Sequence, residues 1–275
     1  MKALKRFLTI VRPVQCLTAA AAVVVVARIA LGQFVFNTPA LAAAGAMALL
    51  VFGSSVYHCA FQNHNHPYTR RVNDYIREQH PYLWGMLAFL AFQGSVYLTV
   101  KYLPIGCTIA TILAGGLVIL YTARRGVNGP LNSLVGLICT VPVFVGWAST
   151  GVPFAGVTVF LLGTTFWLYF LREEIKDHQE KPRIALRSWL DCGPRNNYIV
   201  GGFVCTAAML MYPILYFHMN GHLLPRMSYN VFVGLAFAHY FIFSMIGGIA
   251  RYRRAYPQGI MTALVWLYMT AGVIH

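Results

Sequence analysis

Apolar stretches about 20 residues long recur along this chain, and each is the length a helix needs to cross the hydrocarbon core of a bilayer. They fall near 14–32, 39–60, 82–103, 106–123, 131–150, 153–171, 198–217, 229–249 and 259–274. Hydropathy therefore predicts nine spanning helices. Of the 275 residues 58% are hydrophobic and only 10% charged, whereas a soluble domain is roughly one quarter charged. A water-soluble fold, a disordered chain, a coiled coil and a secreted disulfide scaffold are excluded. The expected fold is all-α, a polytopic bundle forming a single integral-membrane domain over 1–275. The six cysteines are scattered without metal-type spacing and read as small apolar packers.

Charge sets the expected orientation. The longer polar segments are 61–81, 172–197 and 250–258, with a basic turn at 124–130. When the N-terminus and every second loop are placed on one face, all of the 21 lysines and arginines except Arg28, Lys101 and Arg226 lie there. Positively charged loops stay in the cytoplasm, so the N-terminus is expected inside, the C-terminus on the opposite side, and the protein in the cell (inner) membrane. This topology, with attraction to anionic headgroups, accounts for the net charge of +14. A nucleic-acid partner is not needed. The basic, apolar start "MKALKRFLTIVRPVQC" lacks a small-residue cleavage site and is read as the beginning of the first helix. Within the spans Arg28, Gln93 and His239 are costly unless they face a cavity, a partner or the interface. Arg28 is expected to snorkel outward.

All seven acidic residues fall in two segments of the same face: Asp74 and Glu78 after helix 2, and Glu173, Glu174, Asp177, Glu180 and Asp191 after helix 6. In "FLREEIKDHQEKPR" a continuing helix puts Glu173 and Asp177 on one face. Two carboxylates one turn apart can share Mg²⁺, which takes its other ligands from water and phosphate oxygens. A solvated helix end with salt bridges explains the same spacing. The segment "SSVYHCAFQNHNHPYTRRVNDYIREQH" gathers hydroxyls, histidines, amides and the pair Arg70 and Arg71. His58, His64 and His66 fit neither a helical His pair nor a zinc ribbon, and a polar loop accounts for them. Guanidinium forks bind phosphate bidentately, although topology explains these arginines equally well. "YTARR" at Tyr121–Arg125 adds Arg124 and Arg125 after helix 4.

Taken together, the pattern resembles the UbiA superfamily of intramembrane prenyltransferases. "RPVQ" at Arg12–Gln15 is similar to the Arg-Pro that opens helix 1 in that family, "YTARR" to its tyrosine-to-basic turn, and "GWAST" at Gly146–Thr150 to its small-residue signature near helix 5. "REEIKDHQE" at Arg172–Glu180 resembles the second aspartate-rich motif, R-E-x-x-K-D-x-x-D, with Glu173, Lys176 and Asp177 matching and Glu180 replacing the last aspartate. The first motif, N-D-x-x-D-x-x-x-D before N-x-P, departs. Counting back from "NHP" at Asn65–Pro67 puts Ser54, Ser55, His58 and Gln62 at its four positions. A rival register at Asn73-Asp74 lies too far beyond helix 2 and puts Arg77 at the fifth position.

The resemblance implies a nine-helix bundle around a central cavity, in which an allylic diphosphate is ionised and its prenyl group passes to an aromatic or lipid acceptor. It implies catalytic roles for Glu173, Lys176, Asp177 and His58. Mg²⁺, possible as a single ion, would be held by Glu173, Asp177 and Glu180. Diphosphate would be bound by Arg70, Arg71, Arg124, Arg125, Ser55, Gln62 and Asn65, with protonated His58 able to supply charge in place of a missing metal. A terpene cyclase or phosphoribosyl transferase on the same scaffold, or a non-catalytic isoprenoid-binding or transport protein, are the alternative readings.

Overall fold

The structure is a computed structural model describing residues 7–8, 10–33, 35–61, 81–124, 138, 140–160 and 163–164. The chain divides into two compact units, Met1–Phe154 and Ala155–His275. Five helices are described in the first unit: α1 (Pro13–Leu31), α2 (Thr38–Phe61), α3 (Pro81–Tyr102), α4 (Ile105–Arg124) and α5 (Val141–Ala148). In the second unit, short helical stretches at 156–160 and 163–164 are described. No strand occurs among the described residues. The segments predicted to hold helices 7 to 9, and residues 161–162 and 165–171 of predicted helix 6, lie outside them.

Local chemistry explains where each helix begins and ends. Pro13 sits at the start of α1, where its missing N–H costs nothing. The residue before it, Arg12, is held at φ 50°, a left-handed conformation that interrupts the helical residues on either side. α1 stops at Gly32, φ 71°, whose N–H reaches the Arg28 carbonyl. Asn37 caps α2, its Oδ1 accepting from the Ala40 N–H at 3.0 Å. Only Leu103 and Pro104 separate α3 from α4, and the Cys107 N–H closes the turn on the Pro104 carbonyl at 2.9 Å. The predicted span 131–150 is helical over Val141–Ala148 among the described residues. It carries Pro142 in its first turn and ends before the Ser149-Thr150-Gly151 turn.

α2, α3 and α4 are each long and apolar enough to cross a membrane. α2 lies against α3, α1 and α4, and α5 packs mainly against α1. Small residues let the backbones approach, as expected where lipid gives no hydrophobic drive between helices. At Gly53 of α2 an added Cβ would lie 3.1 Å from the Ala88 carbonyl oxygen of α3 and 3.2 Å from Ala91 Cβ. One helical turn beyond Ala91, the buried Ser95 donates its hydroxyl to the Ala46 carbonyl of α2 at 2.7 Å. Gly146 of α5 sits closer still to α1, where a Cβ would be 2.9 Å from the Val23 carbonyl oxygen. This contact gives Gly146 its physical reason. Met47, Leu50, Val23, Val145 and Cys107 fill the core between these helices. A second cluster of Ile10, Val56, Cys59, Ala60 and Ala88 packs the far end of α2.

Candidate functional site

The last two turns of α2 carry the residues that stand where the first aspartate-rich motif is expected. Ser54 turns its hydroxyl back to the Leu50 carbonyl at 2.6 Å. Ser55 and His58, three residues apart and so on one helix face, are both buried. His58 reaches α4: its Nδ1 and Thr122 Oγ1 lie 3.3 Å apart in a buried hydrogen bond whose direction follows the imidazole tautomer. Its ring also stacks on Tyr121, with centroids 5.6 Å apart and planes at 18°. The ring is therefore gripped from α4 by a face contact and a polar contact at once.

Tyr121 and Thr122 belong to "YTARR", so the structure joins two motifs that are 64 residues apart along the chain. Arg124 is the last residue of α4, two positions beyond Thr122. Gln62, Asn65, Arg70, Arg71, Arg125, Glu173, Lys176, Asp177 and Glu180 lie outside the described residues, as does Asn73-Asp74. Thr122 was not singled out by sequence reasoning. Its signal is a hydroxyl buried inside a motif otherwise noted for its arginines, and its partner becomes visible only when α2 and α4 pack together.

The α2 side of this site has two hydroxyls and an imidazole and no carboxylate. Such donors suit a hard cation poorly, because Mg²⁺ takes carboxylate and phosphate oxygens in near-octahedral array. Among the described residues no group of three His, Cys, Asp or Glu side chains is close enough to hold a metal. What this end of α2 can do is donate and accept hydrogen bonds. Of the polar residues flagged inside the spans, Arg28 is half-buried in the last turn of α1 with its Nε enclosed, and Gln93 is exposed on α3.

The chain has the fold of solved UbiA homologues, and three of its described helices have the length and apolar composition to span a bilayer. A structure of digeranylgeranylglyceryl phosphate synthase in membranes matches it with a TM-score of 0.69 at 14% identity, over 100% of this chain and 99% of that one. A UbiA homologue from Archaeoglobus fulgidus bound to GPP and Mg²⁺ matches with a TM-score of 0.66 at 12% identity, over 98% of this chain and 99% of that one. The same homologue bound to DMAPP and Mg²⁺ gives 0.64, again at 12% identity and with the same coverage. No family sequence profile and no curated protein sequence matches the chain.

Proposed function

We propose that the protein is a membrane-embedded prenyltransferase, moving a prenyl group from an allylic diphosphate to an aromatic or lipid acceptor through a diphosphate site altered on its helix 2 side. The observation that carries this reading is the fold, matched over 98% of the chain to a UbiA homologue bound to GPP and Mg²⁺. In the reaction the allylic C–O bond breaks with its electron pair going to diphosphate. An electron pair of the acceptor then closes on the allylic cation, and the acceptor gives up a proton. Catalysis is mainly electrostatic stabilisation of the departing charge.

Arg70, Arg71, Arg124, Arg125 and Lys176 supply cationic donors for the diphosphate oxygens. Ser55, His58, Gln62 and Asn65 add hydrogen bonds where carboxylates are missing, with protonated His58 able to supply charge as well. The carboxylates Glu173 and Asp177, with Glu180, are the donor set that suits Mg²⁺. Mg²⁺ held there would neutralise charge on the leaving diphosphate. Sharing one metal side and one hydrogen-bonding side is the feature that distinguishes this site.

The test is to incubate the purified protein with radiolabelled GPP or DMAPP, Mg²⁺ and membrane extract, and to measure diphosphate release and labelled lipid. Both are expected. Asp177→Asn should remove most activity and flatten the Mg²⁺ titration, Asp74→Asn should do little, and His58→Gln should raise the donor KM. Donor binding without diphosphate release would overturn the enzyme reading in favour of an isoprenoid-binding protein. A reversed ranking of the two aspartates would place the first motif at Asn73-Asp74.

A further inference from the structure

α3 turns one stripe outward at alternating spacings of three and four: Leu83, Met86, Leu90, Gln93, Tyr97 and Val100. That alternation is the 3.5-residue period with which one helix meets another along a seam. The five other members are each between 59% and 61% exposed, so the stripe points away from both α2 and α4. Gln93 is exposed too, midway along the span Tyr82–Tyr102, and its amide has no hydrogen-bond partner among the described residues. Lipid tails satisfy the apolar members. They cannot satisfy an amide, which is costly to hold unpaired in hydrocarbon.

We propose that this stripe is the contact between two copies of the chain in the membrane, related by a twofold axis along the membrane normal, with their Gln93 amides hydrogen-bonded across it. A second copy fits for two reasons. Both copies insert in the same direction, so each residue meets its counterpart at the same depth. A primary amide carries a donor and an acceptor, so two of them satisfy each other in a self-complementary, isologous contact. The neighbouring outward face of α4 offers no such group: Ile109, Ile112, Leu113, Ile119 and Leu120 are exposed there. A head-to-tail contact of α3 on α4 would leave the amide unpaired.

The experiment uses the full chain labelled with donor and acceptor fluorophores, diluted into phosphatidylcholine vesicles, with energy transfer read against the protein-to-lipid ratio. A reversible dimer is expected. Gln93→Leu should weaken it about tenfold, and Gln93→Asn, which keeps both donor and acceptor, should retain most of the association. With the six native cysteines replaced by alanine, Gln93→Cys should form a disulfide-linked dimer on oxidation, whereas Ala91→Cys, on the buried face, should not. Energy transfer absent at every dilution would mean that lipid alone covers the stripe. A dimer indifferent to Gln93→Leu would mean that it forms elsewhere. Either result overturns the proposal.

Discussion

Gly146→Ala is the sharpest probe of how α5 sits on α1. The added methyl would lie 2.9 Å from the Val23 carbonyl oxygen, 3.1 Å from Val23 Cα and 3.1 Å from Val26 Cβ, when ordinary contact begins at 3.4 Å. Two of the three obstacles are backbone atoms, so no rotamer change relieves the clash and the helices must separate by about half an ångström. Overpacking of this kind costs about 1–3 kcal/mol, and for a chain of this size that lowers the apparent Tm by roughly 2–10 °C. The assay is thermal unfolding of the detergent-solubilised protein at one fixed scan rate, because such unfolding is commonly irreversible. Gly116→Ala is the control. No atom lies within 4 Å of its Cβ position in α4, and replacing a helical glycine there should leave stability unchanged or raise it by up to about 1 kcal/mol. Equal midpoints for the two variants would refute the close approach of α5 to α1.

Two further outcomes test other levels of the structure. Ser95→Ala removes the hydroxyl that α3 donates to the Ala46 carbonyl, and should cost about 0.6–2 kcal/mol, the range for hydrogen bonds between helices in a bilayer; a Tm at or above that of the parent protein would show the bond contributes nothing. Single cysteines at Thr69 and Ser188 should react with an impermeant thiol reagent only after the membrane is opened, since both lie in segments expected on the cytoplasmic face; labelling of either in intact cells would reverse that orientation.

Helix ends were the most legible part of the fold. Hydropathy places the first four spans within one residue of the observed helices at each end, because the chemistry that ends an apolar run, such as Pro13, Gly32, Asn37 and Pro104, also stops the helix. Of the fifth, the predicted start lies outside the described residues, and the part described, Val141–Ala148, carries Pro142 in its first turn. Partners across helices were not legible. The bond from Ser95 to Ala46 and the grip of Tyr121 and Thr122 on His58 depend on which faces meet, and the pattern along one helix does not specify its neighbour's rotation. At the candidate site, the sequence shows that carboxylates are missing from the end of α2. That His58 turns toward α4 required the packed helices.

The two-residue join between α3 and α4 bears on how the protein is made. A connection this short leaves no hydrophilic loop to be passed across the bilayer on its own, and its Pro104 carbonyl is already taken up by the Cys107 N–H in the first turn of α4. The pair is therefore expected to enter the membrane as one helical hairpin. The one charged side chain at its tip is Lys101, which donates to the Tyr97 hydroxyl at 3.2 Å and lies 5.2 Å from the centre of the Tyr102 ring. Those aromatic partners give the ammonium an amphipathic resting place at the interface once it arrives. A single cation is also a small load to carry through, so insertion of this hairpin draws on the apolar length of both helices and meets little electrostatic resistance at its leading end.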